Sequence, residues 1–168
     1  PANDEADYRN TLLRMRGASD LIDQMITLME KGREEGILPP RIAVSQTAEQ
    51  LDQLLKNSVD ETFLKIFHSF PKEIPADKQV QLKAEGRKAF EEALKPAVEK
   101  LRDYLAETYI PASRDSYGIS ELPDGDEWYA YAIRNYTTTS LSADEIHQVG
   151  LREVARIRQQ MDSIIQVT

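Results

Sequence analysis

The sequence of 168 residues contains no cysteine, and this absence excludes several kinds of site. Without thiols the chain forms no disulfide, thiolate zinc site, iron–sulfur cluster or cysteine nucleophile. Only two histidines are present, His68 and His147, which leaves little room for a histidine-rich metal site. Neither belongs to a His-Glu-x-x-His motif, whose histidines lie one turn apart on a helix. We therefore assign no metal ligand and no catalytic residue to this chain from residue spacing.

Glycine and proline are also scarce, at 7 and 8 residues, while the hydrophobic fraction of 40% is ordinary for a folded domain. No apolar run approaches the roughly 18 residues of a membrane-spanning helix, so we expect no membrane span. The net charge is −8, and phosphate binding needs clustered lysines and arginines, so we expect no nucleic-acid partner. The length predicts a single domain over residues 1–168.

Apolar side chains recur at three- and four-residue steps along the whole chain, and no segment alternates as a strand would. The pattern predicts an all-α fold of about six to seven helices without a sheet. The longest helix is predicted over residues 76–109, and Pro96 within it predicts a kink. Residues 110–125 hold two prolines and two glycines and are predicted to form a long surface loop.

The segment after this loop is the most unusual one, because its predicted helix, Asp126 to about Tyr136, is rich in aromatic residues. Trp128, Tyr131 and Arg134 follow one another at three-residue steps. Tyrosine hydroxyls and an arginine guanidinium suit a peptide backbone or a carboxylate, so the spacing indicates a binding wall. Two alternatives stay open. The tyrosines can belong to a core helix with its hydroxyls at the edge, and the threonines at 137–139 can satisfy free carbonyls at the helix end.

The last helix is amphipathic. Ser142 and Glu145 form a capping-box pattern at its start. Its apolar stripe continues to Ile164 and Ile165 without a glycine, a basic turn or a proline to end it. An open stripe favours a piece of a longer polypeptide whose remainder covers it, the alternative being a frayed natural end. In the isolated chain this stripe is expected to cause self-association.

Several sequence blocks occur together in one order and cover most of the chain. They are Gly36–Val44, Lys95–Val98 leading to Tyr109–Pro111, Leu122–Tyr129, Thr137–Thr139 and Leu141–Val154. In these blocks the chain resembles the bacterial domain-of-unknown-function 885 family. The resemblance implies a large, mostly helical protein similar to zinc metallopeptidases of the gluzincin type. It also implies a protein that is often exported, hence periplasmic or envelope-anchored, and frequently a lipoprotein.

In that family the zinc-binding His-Glu segment follows the last of these blocks, so the resemblance transfers no zinc ligand to this chain. The resemblance implies zinc as the cofactor of the complete protein, and it implies that the 168 residues alone are inactive. Recurrent positions of the family pattern are matched by Tyr129, Thr137, Thr138, Glu145, His147, Gly150 and Glu153.

Spacing and resemblance together define a set of candidate substrate-binding residues. These are Trp128, Tyr129, Tyr131, Arg134, Thr137, Thr138 and His147. We expect the chain to be a helical scaffold and substrate wall of a metallopeptidase-like protein, with the remainder of that polypeptide and a peptide substrate as its partners. The alternative is a non-catalytic helical interaction module that binds a partner helix.

Overall fold

The computed structural model describes residues 2–57 and 59–167 of the protein, and most of these residues are helical. The α-helices are α1 (Glu5–Arg16), α2 (Ala18–Glu34), α3 (Arg41–Val44), α4 (Thr47–Asn57), α5 (Val59–Thr62), α6 (Ala76–Ala89), α7 (Lys95–Tyr104), α8 (Ile110–Ala112), α9 (Gly125–Thr137) and α10 (Ala143–Val167). Two 3₁₀ turns span Lys65–His68 and Ile119–Glu121. Within the described ranges there is no strand, only the isolated bridge between Pro40 and Arg114. The predicted all-α class is confirmed.

Helices α6, α7 and α8 form one continuous helical segment, because π-helical turns at Phe90–Leu94 and Leu105–Tyr109 join them. Each π turn is followed by a proline, Pro96 in α7 and Pro111 in α8. A proline ring clashes with the carbonyl four residues earlier, and here both of those carbonyls belong to a π turn. The disturbance predicted at Pro96 is therefore a widened turn, after which the helix continues.

The same arrangement shortens the irregular segment that the sequence predicts at 110–125. The helix continues through Pro111 to Ala112, since proline is tolerated in a first helical turn. The irregular segment accordingly spans residues 113–124 and contains the 3₁₀ turn Ile119–Glu121.

By its internal contacts the chain divides into two compact units, the first ending at Ser116 and the second beginning at Tyr117. In the first unit α6 packs against α1, and α7 packs against α2 and α4. The larger core cluster contains Tyr8, Leu12, Met15, Leu64, Phe67, Ile74, Leu82, Ala89 and Phe90. A smaller cluster forms around Ile22, Ala97 and Val98.

A polar contact joins α2 to α7 beside the smaller cluster. The Tyr104 hydroxyl donates a hydrogen bond of 2.9 Å to the Glu30 carboxylate, which also accepts one of 2.5 Å from Arg33. The hydrogen bonds from Arg33 and Tyr104 lower the pKa of Glu30 to about 2. Burial and the bond to Glu30 raise the pKa of Tyr104 to about 12. The contact therefore holds an ionised carboxylate against a neutral phenol over a wide pH range.

The apolar face formed on α2 by Leu21, Met25 and Leu28 is exposed to solvent. The neighbouring face, with Ile22 and Ile26, packs against α7 instead. Two apolar stripes therefore run along α2, and the first unit buries only one of them.

Candidate functional site

The candidate site lies in the second unit, where a close backbone contact fixes the start of α9. Gly125 is buried, and a Cβ atom at this position would lie 2.1 Å from the Ile119 carbonyl oxygen and 2.8 Å from Ser120 Cα. Only glycine allows the 3₁₀ turn to approach the helix this closely. The Gly125 N–H also donates to the Leu122 carbonyl at 2.9 Å. The turn therefore determines where the aromatic helix begins.

At the other end of α9 the threonines form a local hydrogen-bonded cap. Thr138 adopts a left-handed conformation with φ of 55° and donates its N–H to the Arg134 carbonyl. The Thr137 hydroxyl donates to the Ile133 carbonyl at 2.7 Å and lies 2.9 Å from the Thr139 hydroxyl. These bonds satisfy carbonyls at the end of the helix, as one of the two open alternatives proposed. They also fix the turn that leads to α10.

Helix α10 begins with the predicted capping box. The Ser142 N–H and hydroxyl donate to the Glu145 carboxylate at 2.8 and 2.9 Å. The Glu145 N–H donates to the Ser142 hydroxyl at 3.3 Å. The two bonds from Ser142 lower the pKa of Glu145, so its carboxylate stays ionised at the positive end of the helix dipole.

Between these two fixed ends, α9 and the first turn of α10 enclose a cleft, here called the α9–α10 cleft. One part has a volume of about 410 Å³ and is lined by Asp126, Tyr129, Ala130, Ile133, Arg134, Ser140, Leu141, Ser142 and Ala143. A second part of about 280 Å³ shares Tyr129, Ile133 and Ala143 and adds Ala132, Tyr136, Thr137 and Ile146. Because the two parts share residues, they form one continuous groove along α9.

The cleft is apolar with polar side chains among its lining residues. Ile133 and Leu141 contribute its apolar surface, whereas Arg134, Tyr129 and Asp126 contribute a guanidinium, a phenol and a carboxylate. Such a mixture is typical of sites that bind small molecules or peptides, in which a few polar groups orient an apolar ligand.

Trp128 and Tyr131 lie on a different side of α9 from this cleft. Together with Asp124 and Glu127 they line a separate, shallow depression, and both aromatic side chains are about three-fifths exposed, at 60% and 61%. The predicted binding wall therefore consists of two surfaces. Three-residue steps drift around a helix, so Arg134 reaches the cleft while Trp128 and Tyr131 do not.

The structure thus brings together Tyr129, Arg134 and Thr137 in the α9–α10 cleft. Thr138 belongs to the turn after α9, and His147 is exposed on α10 outside the residues that line the cleft. Ile133 and Leu141 also line it, and the sequence reasoning missed both. The signal for Ile133 was present, because it lies four residues after Tyr129 and four before Thr137, on one helix face.

In the ranges that the structure describes, no three His, Asp or Glu side chains are grouped so that they could hold a metal ion. None of the helices in those ranges combines the length and the apolar content needed to cross a lipid bilayer.

The described residues form an all-α protein with an exposed apolar side on α10, and comparison with known proteins identifies its family. The chain matches the family described as "Bacterial protein of unknown function (DUF885)" over residues 1–168. It therefore belongs to this family, which confirms the resemblance noted in its sequence blocks.

The fold also matches a crystal structure of a protein named as a "putative lipoprotein" from Colwellia psychrerythraea, with a TM-score of 0.80 and 22% sequence identity. The match covers 99% of the present chain and 29% of that one, so the chain spans under a third of the solved protein. At this identity the likeness establishes the fold alone. A search of curated proteins finds no match.

Proposed function

We propose that this chain is the helical scaffold and substrate wall of a zinc metallopeptidase-like protein whose zinc-binding residues lie outside these 168 residues. The α9–α10 cleft is the observation that carries the proposal, because it is a preformed groove with polar side chains among its apolar lining residues. Family membership and the greater length of the solved protein with the same fold support it.

The chemistry of the cleft fits a peptide substrate. The Arg134 guanidinium is a planar set of donors that matches a carboxylate or a backbone carbonyl. Tyr129 lines the cleft together with Ile133 and Leu141, and its hydroxyl can both donate and accept a hydrogen bond. An extended peptide would place an apolar side chain against this surface and a carbonyl or terminal carboxylate near Arg134.

The test is peptide hydrolysis by the complete protein, with and without a zinc chelator. We expect chelator-sensitive hydrolysis, and we expect Arg134→Ala to raise KM about tenfold or more, because a hydrogen bond to a charged group is lost. Arg152→Ala is the matched control, since Arg152 is exposed on α10 and does not line the cleft. Equal KM values for the two variants would contradict the role of the cleft, and hydrolysis that survives the chelator would contradict the zinc chemistry.

The alternative, a non-catalytic interaction module, draws on the exposed apolar side chains of α10, which suit a partner helix. A complete protein that binds no zinc, hydrolyses no peptide and captures an amphipathic helix through α10 would favour this second function.

We also propose that the complete protein is exported and anchored to the cell envelope. The name of the solved protein with the same fold supports this location. Cell fractionation with metabolic lipid labelling tests it, and recovery of an unlipidated protein in the cytoplasm would contradict it.

A further inference from the structure

The apolar side of α10 is a surface of the second unit that the described residues leave exposed. Every described side chain from His147 to Gln166 is exposed. Val154, Ile157, Met161 and Ile165 recur at helical spacing on one side, and their exposed fractions range from 46% to 68%. These four residues and Gly150 are here called the α10 stripe. A monomeric protein rarely leaves such a continuous apolar surface in water.

The α10 stripe lies on the same side of α10 as the residues of this helix that line the α9–α10 cleft. Ala143 and Ile146, about two turns and one turn before Gly150, are partly buried and line the cleft opposite α9. Helix α9 therefore faces the first part of this side of α10 across the cleft, and none of the described residues covers this side after Ile146. A second helix fits the exposed side after Ile146, because side chains at three- and four-residue spacing form ridges and grooves that another helix can pack against.

Gly150 lies at the centre of this surface. It is four residues after Ile146 and four before Val154, so all three share one face of α10. A Cβ atom at Gly150 would meet nothing within 4 Å. Glycine weakens the middle of a helix relative to alanine, and nothing else in the described part of this chain uses the space that it leaves. Such a gap in an apolar stripe is typical of a place where another backbone comes close.

We propose that a helix from the same polypeptide, outside these 168 residues, crosses α10 at Gly150 and covers the α10 stripe. The inference rests on one part of the proposed function, that the complete protein is longer, which the 29% coverage of the solved chain supports. It does not depend on zinc or on peptidase activity. The occupant is therefore an amphipathic helix whose small or flat residue faces Gly150.

The direction in which one substitution changes the amide-exchange protection of α10 tests whether a helix crosses at Gly150. At protein concentrations low enough to keep the 168-residue chain monomeric, Gly150→Ala should raise the amide-exchange protection of α10 about fivefold, because alanine favours the helix and the space is empty. In the complete protein the same change should lower protection about tenfold or more, because the added methyl group meets the crossing helix. Gln148→Ala on the polar side of α10 is the control and should have the same small effect in both proteins.

A rise in both proteins, or no change in the complete one, would overturn the proposal. Protection of α10 in the complete protein that depends on protein concentration would assign the surface to a second copy, which overturns it equally. Peptidase activity is not a readout here, so an inactive complete protein with the predicted change of sign refutes the proposed function and leaves the crossing standing.

A second measurement covers the case in which the alanine variant of the complete protein does not fold. The 168-residue chain has no cysteine, so Val154→Cys introduces its only thiol. In the complete protein we expect this thiol to react at least about tenfold more slowly with a soluble maleimide than the thiol of Arg152→Cys, as judged by peptide mass spectrometry. In the 168-residue chain, at concentrations low enough to keep it monomeric, the two should react at similar rates. Similar rates in the complete protein would overturn the proposal.

Discussion

Replacing Gly125 by alanine tests how the candidate site is held in place. The added Cβ would lie 2.1 Å from a backbone oxygen of the 3₁₀ turn, so the turn and the helix start must separate by about 1 Å to reach an ordinary contact. Overpacking of this kind costs about 1–3 kcal/mol or more, and the better helix propensity of alanine offsets at most about 1 kcal/mol. Because the obstructing atoms belong to the backbone, the cost lies at the upper end of this range, and we expect a net loss of about 1–3 kcal/mol in the local stability of α9.

Amide hydrogen exchange of the peptides that cover α9 measures this loss directly. The expected decrease in protection is about 5- to 150-fold, since each 1.4 kcal/mol corresponds to a factor of ten. Gly118→Ala is the matched control, because a Cβ there would lie 3.2 Å from the rotatable Ser120 hydroxyl and 3.9 Å, an ordinary contact distance, from the Ser120 backbone nitrogen. Unchanged or increased protection of α9 in the Gly125 variant would refute the claim that the backbone contact positions this helix.

Three further outcomes are expected. Tyr104→Phe should lower the thermal midpoint by about 1–3 °C near neutral pH, because the bond to Glu30 is lost from a partly exposed site. In the unsubstituted chain the contribution of Glu30 to the free energy of unfolding is present above pH 4.5 and is lost as the pH falls toward its folded pKa of about 2. The contribution of Tyr104 is present below pH 10 and is lost as the pH rises toward its folded pKa of about 12. A free energy of unfolding that stays constant across both pH ranges would contradict this. Ser142→Ala should lower the local stability of the first turn of α10 by about 1 kcal/mol, which is measured as faster amide exchange in that turn. Because the pKa of Glu145 is lowered, the cap in the unsubstituted chain should weaken only as the pH falls below the ordinary carboxylate range. At high concentration the isolated 168-residue chain should self-associate through the exposed face of α10 that carries Ile157, Met161, Ile164 and Ile165, and a clean monomer by light scattering would argue against it.

The helices could be predicted from sequence because their signals are local. Gly17, a poor helix former, lies between α1 and α2, and the capping box at Ser142 starts α10 where expected. Apolar periodicity predicts that a helix has an apolar side, but it does not predict which of two apolar sides packs against a neighbouring helix. On α2 the side with Leu21, Met25 and Leu28 is exposed because α7 packs against Ile22 and Ile26.

The candidate site was predictable only in part, for a geometric reason. Trp128, Tyr131 and Arg134 follow one another at an even step, but three residues are less than one full turn, so the three side chains diverge around α9. Which side of α9 faces α10 depends on the close contact between Gly125, at the start of α9, and the backbone of the 3₁₀ turn Ile119–Glu121. That contact joins residues separated by an irregular segment, and no local pattern in the sequence reports it.

The most direct test of the central claim compares zinc content and peptide hydrolysis in two purified proteins, the 168-residue chain and the complete protein of the same gene. We predict that the complete protein binds zinc with a stoichiometry near one and hydrolyses peptides until a chelator removes the metal. The 168-residue chain should do neither. Chelator-sensitive hydrolysis by the 168-residue chain alone, or a complete protein without zinc and without activity, would contradict the account.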